Sequence, residues 1–113
     1  MPFIETKATR KIGESEATAL REKLGRAIEI IPGKTDKWLM LSFQGETPMA
    51  FSGTAGDAAM VDVSILGHAD NAVYAALTSE ICNIVSEVLS ISKDRIYVKY
   101  SEFERWGWNG INF

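Results

Sequence analysis

The stretch Lys93-Asp94-Arg95-Ile96-Tyr97 decides the fold, because it has a counterpart in Thr35-Asp36-Lys37-Trp38-Leu39. Each stretch follows an amphipathic segment and leads into the apolar, β-branched and aromatic residues that are typical of a strand. The two lie 58 positions apart, and the same offset sets Pro2-Phe3-Ile4 against Met60-Val61-Asp62. We therefore interpret the chain as two β-α-β units in succession, spanning about residues 2–58 and 59–113.

Hydrophobic periodicity places the elements of both units. Strands are predicted at Phe3–Lys7, Lys37–Phe43, Ala59–Leu66 and Ile96–Tyr100, with a short arm at Met49–Phe51. The first helix is predicted to begin with Ser15 as its N-cap and to end at Pro32-Gly33, and its apolar face is Leu20, Leu24, Ala27, Ile28 and Ile31. The second follows Asn71, with the stripe Val73, Leu77, Ile81, Ile84, Val85, Val88 and Leu89. Residues 106–113 combine the aromatics of a strand with the glycines of a turn.

Two consecutive β-α-β units predict the fold class. Their crossovers are right-handed, which lays both helices on one face of a four-stranded sheet. We expect a single α+β domain over residues 1–113 with a ferredoxin-like plan. The segments Lys37–Phe43 and Ala59–Leu66 are largely apolar at both alternating sets of positions, so the second sheet face should also be covered. Another chain would cover it, which predicts an oligomer.

Composition narrows the function classes. A net charge of −3 provides no basic stripe for nucleic acid. No uninterrupted apolar run approaches the length of a membrane span, and no secretory signal precedes the first strand, so we expect a cytoplasmic protein. Cys82 is the lone cysteine and the chain has a single histidine, so neither a disulfide nor a structural metal site is expected. No cofactor is predicted.

Five short motifs, in order along the whole chain, indicate a family. They are Met1-Pro2, Pro32-Gly33-Lys34, Thr47–Gly53, Ser92–Val98 and Gly107–Gly110. Together they resemble the macrophage migration inhibitory factor family, in the tautomerase superfamily with an amino-terminal proline. The resemblance implies a homotrimer of ferredoxin-like subunits whose three sheets form a central barrel. This agrees with the expected partner on the second sheet face.

The resemblance also implies an activity and a set of residues. The activity is keto–enol tautomerisation of small aromatic keto acids such as phenylpyruvate, and in many members of dopachrome analogues. Pro2 is the implied catalytic residue, once Met1 has been removed. The implied substrate-binding residues are Lys34, Leu66, Trp38, Trp106 and Phe113, with Tyr97 and Lys99 supplied by a neighbouring subunit.

The chemistry is consistent with these residue types. Moving a proton from a carbon next to a carbonyl needs a base of modest pKa, held dry and close. Burial and a nearby ammonium both disfavour the charged form of an amine, so Lys34 should lower the pKa of a Pro2 amine. The neutral amine would then act as base near neutral pH, and the pyrrolidine ring would restrict the direction of its lone pair.

Two positions depart from the family pattern. Lys99 stands where the family has asparagine, and it either joins Lys34 on the substrate carboxylate or points to solvent. The stretch Ala58-Ala59-Met60-Val61 stands where some members carry a Cys-x-x-Cys motif, so no thiol-redox role transfers to this chain.

Each candidate residue has a purely structural alternative. Pro2 would also suit the first position of a strand, where a missing N–H is tolerated. Lys34 would also suit a helix carboxyl terminus, where a cation interacts favourably with the dipole. Tyr97 and Trp108 would also serve as core or interface aromatics.

Two other functions compete with the tautomerase. One is a cytokine-like signalling protein that binds a receptor and keeps the pocket as a secondary feature, and the resemblance allows secretion without a signal peptide. The other is an isomerase or dehalogenase acting on another unsaturated acid. Branches of that kind place a second arginine near the proline, and no arginine is predicted near the mapped pocket positions of this chain. We therefore expect a tautomerase.

Overall fold

The computed structural model describes all 113 residues. The elements in chain order are β1 (Pro2–Ala8), α1 (Glu14–Ala27), β2 (Met40–Gln44), β3 (Ala59–Leu66), α2 (Asn71–Leu89) and β4 (Ile96–Phe103), followed by β5 (Gly107–Trp108) and β6 (Ile111–Asn112). The predicted α+β class, with two helices and four long strands, is confirmed. The last two strands form a small hairpin of their own.

The four long strands form one mixed sheet in the order β2-β1-β3-β4. β1 is parallel to β2 and β3 is parallel to β4, while the central pair β1 and β3 is antiparallel. The two strands of each β-α-β unit are therefore neighbours, unlike the split units of the ferredoxin-like motif. In this register Pro2 faces Ile65, which faces Glu102 on β4. The amino end of β1 thus meets the carboxyl ends of β3 and β4 at one end of the sheet.

Both helices pack on one face of the sheet, as predicted. Side chains of β1 and β3 alternate strictly between buried and half-buried positions, because successive residues of a strand point to opposite faces. The buried set meets the apolar faces of α1 and α2 in a core of 18 residues, which includes Ile4, Val61, Val63, Leu20, Leu24, Leu77, Ile81 and Val85.

The opposite sheet face carries charge at its centre, and the prediction that Ala59–Leu66 is apolar on both faces is wrong. Glu5, Asp62 and Lys99 lie side by side on three neighbouring strands. Lys99 Nζ lies 3.3 Å from an Asp62 carboxylate oxygen. Large apolar side chains remain exposed only on the two edge strands of this face, where Met40 is 67% and Tyr97 62% exposed.

The strand predicted from Lys37 begins later, at Met40. Asp36–Trp38 forms a 3-10 turn instead, because the Trp38 and Leu39 N–H groups donate to carbonyls three residues earlier. A matching turn at Lys93–Arg95 precedes β4, so the two units share this feature as well. The turn takes Trp38 out of the sheet and leaves its indole beside the strand ends.

Two other predicted boundaries are also wrong. The N-cap of α1 is Gly13 rather than Ser15, because the Gly13 N–H donates to the Glu16 carboxylate at 2.9 Å and closes the first turn two residues earlier. The arm predicted at Met49–Phe51 is reduced to a single bridge between Phe51 and Thr54. That loop is held by Arg95, whose guanidinium donates to the Asp57 carbonyl at 2.6 Å.

One helix, α2, is long and apolar enough to cross a membrane by length and composition alone. Five of its residues, Leu77, Ile81, Ile84, Val85 and Leu89, are buried within the protein. Packing in the core accounts for the apolar composition of this helix.

Candidate active site

A cleft of about 860 Å³ opens at the end of the sheet where β1 begins. Pro2 and Met1 line it together with Trp38, Phe103, Trp106 and Trp108. All three tryptophans of the chain therefore border this one cleft. A largely apolar concave surface with few polar groups is the usual form of a small-molecule site.

The aromatic wall of the cleft is built by residues from two distant parts of the chain. Trp38, from the turn before β2, meets Trp108 of β5 edge to face, with ring centroids 5.0 Å apart. Phe113 stacks on Trp108 at 6.1 Å, and its N–H donates to the Trp106 carbonyl at 2.9 Å. Phe113 thus supports Trp108 from behind and is not itself among the residues that line the cleft.

Pro2, Lys34 and Leu66 come together beside the cleft. Pro2 is buried at the first position of β1. The Met1 carbonyl accepts a hydrogen bond from the Leu66 N–H at 3.1 Å. Lys34 Nζ donates to the Leu66 carbonyl at 2.8 Å. Three separate elements, namely the start of β1, the turn after α1 and the end of β3, therefore meet at this point.

A tight turn directs Lys34 toward the strand ends. The Lys34 N–H donates to the Ile31 carbonyl at 3.1 Å, and Gly33 has a φ of +81°. Proline followed by a glycine with positive φ is the signature of a type II turn. The Pro32-Gly33 pair therefore does more than end the helical segment, because it also sets the direction in which Lys34 leaves it.

The charge at this point favours a neutral amine. Partial burial, and next the neighbouring Lys34 ammonium, lower the pKa of the Met1 α-amine below its ordinary value. Both causes act on the environment at the amino end of β1. The lowered pKa that was expected for a Pro2 amine is therefore found for the α-amine of Met1, which directly precedes Pro2.

Comparison with known proteins identifies the family. The family model described as "Macrophage migration inhibitory factor (MIF)" matches residues 1–113. The chain belongs to the macrophage migration inhibitory factor family. Rat macrophage migration inhibitory factor is 27% identical over 116 aligned residues, which cover 100% of this chain and 97% of the rat protein. The resemblance inferred from the five motifs is confirmed.

Solved structures of family members agree over the whole fold. Leishmania major MIF2 is 29% identical, with a TM-score of 0.94, and the match covers 100% of this chain and 97% of that one. The Prochlorococcus marinus homologue of macrophage migration inhibitory factor is also 29% identical, with a TM-score of 0.89 and 98% of each chain covered. Family membership fits the tautomerase superfamily and is compatible with both tautomerase and cytokine-like roles.

Two of the residues expected from the MIF resemblance lie far from Pro2 within this chain. On β3, Met60 pairs with Tyr97 and Ile65 pairs with Pro2. Met60 and Ile65 are five positions apart, which separates them by about 16 Å along the strand at the usual rise per residue. Tyr97 packs on Phe51 with ring centroids 4.8 Å apart. Lys99 is also on the central part of β4, where it pairs with Asp62. A single chain does not bring either side chain to the cleft.

Lys37, Phe103 and Arg105 also line the cleft, and they are not among the site residues predicted for this MIF-family chain. The expectation that no arginine lies near the pocket is wrong at Arg105. β4 was predicted to stop at Tyr100, whereas it continues to Phe103 and carries the following residues across the end of the sheet. The spacing of Phe103 and Arg105 could have indicated that both line the cleft, because residues two positions apart on an extended chain point to the same side.

Proposed function

We propose that this protein is a keto–enol tautomerase of aryl pyruvates of the phenylpyruvate type, with dopachrome-type substrates as a further class. Pro2 is the general base and acts after Met1 has been removed. The observation that carries the proposal is the position of Pro2, between the Lys34–Leu66 pair on one side and the aromatic cleft on the other.

The Lys34–Leu66 pair forms the end of the site that binds the substrate carboxylate. Lys34 Nζ supplies the positive charge. The Leu66 N–H donates to the Met1 carbonyl while Met1 is present, so removal of Met1 frees this N–H for a substrate oxygen. A 2-oxo acid whose carboxylate is bound there places its C3 carbon beside the Pro2 nitrogen.

The reaction is a proton transfer without net oxidation. The neutral Pro2 nitrogen takes a proton from C3 of the keto form, and the C3–H electron pair becomes the C2=C3 double bond. The carbonyl π pair moves to the C2 oxygen, which takes a proton from solvent to give the enol. The proton held on Pro2 is then released to solvent, which restores the base.

The aryl ring of the substrate occupies the cleft. Trp38 and Trp108 form a rigid corner, and Trp106 closes the neighbouring side with Phe103, whose ring lies 6.1 Å from it. Large flat side chains of this kind bind an aromatic ring with little loss of their own conformational freedom. Phe113 contributes by holding Trp108 in place.

We propose a homotrimer in which a neighbouring subunit completes each site with Tyr97 and Lys99. Tyr97 is 62% exposed and well separated from Pro2 of its own chain, so it is free to meet another subunit. Exposed apolar side chains at both edges of the sheet, Met40 on β2 and Tyr97 on β4, are typical of an interface between copies.

The decisive experiment combines intact mass with phenylpyruvate kinetics. We expect a mass lacking Met1, and a loss of kcat/KM of about 100-fold or more in Pro2→Gly, which is the usual contribution of a positioned base. The matched control is a chain with two residues added before Pro2, which keeps the pyrrolidine ring but converts its amine to an amide. It should be as inactive as Pro2→Gly. Full activity in either protein, or in a chain that retains Met1, would refute the role of Pro2.

A further inference from the structure

The exposed ring of Tyr97 is held by a single aromatic contact. Tyr97 is 62% exposed on the edge strand β4. Of the aromatic pairs in the chain, only the pair with Phe51 includes Tyr97, and its ring centroids lie 4.8 Å apart at an interplanar angle of 67°. An edge-to-face contact of this kind restricts a ring that solvent alone would leave free to change rotamer. The position of Phe51 therefore decides where the Tyr97 ring lies.

Phe51 belongs to a loop with little regular structure of its own. The loop has one bridge, in which Phe51 and Thr54 exchange two backbone hydrogen bonds of 3.0 Å. Between them Ser52 has a φ of +55°, in the left-handed region that a residue other than glycine adopts at a cost. A conformation of this kind persists only where the surrounding structure holds it.

Arg95 holds this loop with its whole guanidinium group. Its Nε donates to the Asp57 carbonyl at 2.6 Å. Its Nη1 donates to the Thr54 hydroxyl at 3.1 Å and to the Phe51 carbonyl at 3.3 Å, and its Nη2 donates to the Thr54 carbonyl at 3.3 Å. The guanidinium carbon also lies 5.4 Å from the centroid of the Phe51 ring, within the range of a cation–π interaction. A planar fork of donors makes all these contacts at once, which a lysine ammonium does not.

The same short segment of backbone carries both Arg95 and Tyr97. Arg95 is the last residue of the turn Lys93–Arg95, and β4 begins at the next residue, the buried Ile96. The guanidinium therefore ties the loop to the base of the strand on which Tyr97 stands. Arg95 contacts Phe51, Phe51 contacts Tyr97, and none of the three lines the cleft of its own chain.

We propose that Arg95 is a positioning residue for the active site of a neighbouring subunit. By holding Phe51 it sets the Tyr97 ring that completes that site. This inference rests on the proposed function, and specifically on the assignment of Tyr97 to a neighbouring site. Arg95 itself contacts neither the substrate nor Pro2, so it governs binding of the aryl acid and takes no part in the proton transfer.

The first test separates binding from turnover. Arg95→Gln should raise KM for phenylpyruvate by about threefold to tenfold, the value of one aromatic contact, and should leave kcat unchanged. Arg95→Lys should behave in the same way, because it keeps the charge but loses the fork. The matched control is Arg10→Gln, since Arg10 donates to the Asp57 carboxylate of the same loop at 3.1 Å without contacting Phe51. A parent-like KM in Arg95→Gln would overturn the inference.

A second test follows the contacts from Arg95 to Tyr97. Phe51→Leu removes the aromatic contact and keeps the groups to which Arg95 donates, so it should raise KM by a similar factor even if Arg95→Gln does not fold. Adding Arg95→Gln to Tyr97→Ala should raise KM no further, because residues that act through one another are not additive. If the two effects multiply instead, Arg95 acts independently of Tyr97 and the inference is wrong.

A third test asks in which subunit Arg95 acts. Arg95→Gln chains are unfolded and refolded with an excess of Pro2→Gly chains, so that every proposed base belongs to an Arg95→Gln chain. Most of these bases then lie beside a subunit with an intact Arg95, and KM should return toward that of the parent. A KM that stays as high as in Arg95→Gln alone would place the effect within one chain and contradict the proposal.

A binding measurement separates this inference from the proposed function. All three tryptophans border the cleft, so the change in their fluorescence on adding phenylacetate reports binding without turnover. If phenylpyruvate does not turn over but Arg95→Gln and Tyr97→Ala weaken phenylacetate binding equally, the tautomerase fails and this inference stands. If phenylpyruvate turns over and Tyr97→Ala leaves KM unchanged, this inference fails and the role of Pro2 stands. Without turnover and without weakened binding, both fail.

Discussion

Lys34 donates a hydrogen bond from Nζ to the carbonyl oxygen of Leu66 at 2.8 Å. The contact joins the turn after α1 to the end of β3 across 32 residues of sequence. Most surface lysines move freely in solvent, but this one is fixed by a backbone acceptor next to the amino end of β1. The fold therefore holds a positive charge beside the position at which the proposed base would be exposed.

Removal of the Lys34 charge should shift the pH dependence of the proposed reaction. The ammonium lowers the pKa of the amine at this end of β1, so Lys34→Met should raise the pKa of the base. A smaller fraction is then neutral near pH 7, and the acidic limb of the kcat/KM profile moves to higher pH. KM should also rise, because the carboxylate loses its cation. The exposed Lys11→Met serves as control, and an acidic limb that stays in place in Lys34→Met would contradict the assigned electrostatic role.

Complementation should reveal whether sites are shared between subunits. Pro2→Gly removes the proposed base, and Tyr97→Ala removes the side chain that we assign to the neighbouring subunit. When the two variants are unfolded and refolded together, some sites combine an intact Pro2 with an intact Tyr97, so phenylpyruvate activity should exceed the sum of the separate proteins. Light scattering should give the mass of three chains. Strict additivity of the two activities would place Tyr97 outside the site.

Thr6 should be replaceable by valine with a gain in stability. Its hydroxyl is fully buried and has no hydrogen-bond partner. Thr6→Val removes this unpaired group at constant shape, and we expect the free energy of unfolding in urea to rise by about 1 kcal/mol. Thr78→Val is the matched control of opposite sign, because the Thr78 hydroxyl is hydrogen-bonded to the Tyr100 hydroxyl at 2.6 Å. Destabilisation by Thr6→Val would mean that the hydroxyl has a partner in solution.

The Tyr74–Glu102 pair should govern stability at alkaline pH. The Tyr74 hydroxyl donates to a Glu102 carboxylate oxygen at 2.6 Å. Burial first, and then this carboxylate, raise the pKa of Tyr74 from 10.0 to about 12. Between these values the folded chain keeps a proton that the unfolded chain releases, so the free energy of unfolding should fall as pH rises through this window. The stabilisation is fully present below pH 10.0.

Tyr74→Phe tests this linkage, because it removes the titrating group. The decline of the free energy of unfolding between pH 10.0 and about 12 should become shallower in the variant, as measured by urea unfolding at several pH values. The same hydrogen bond lowers the pKa of the Glu102 carboxyl, so its contribution is present above the ordinary carboxyl pKa and is lost as pH falls. Tyr74→Phe should therefore also reduce the fall in the free energy of unfolding at acidic pH. Identical slopes for parent and variant would rule out the pair as their source.

Local pattern was sufficient for much of the fold. The spacing of Leu20 and Leu24 on one helix, and of Leu77 and Ile81 on the other, marked the faces that are buried in the core. The alternation in Ala59–Leu66 marked a strand, but its outward positions Asp62 and Ser64 were read as part of an apolar run. A period of two already assigns such residues to the opposite face, so this error lay in the interpretation of the pattern.

The sequence by itself determined the two β-α-β units and the family, because periodicity and short motifs are properties of neighbouring residues, whereas the placing of Lys34 beside Pro2 was implied only by the family resemblance. Only the tertiary structure decided that Trp38 leaves its strand, that Phe113 stands behind Trp108, and that Arg105 lines the cleft. These outcomes depend on strand order and register, which bring residues about 60 to 100 positions apart to the same end of the sheet. No local pattern encodes that proximity, because it results from packing both helices on one face of an open four-stranded sheet.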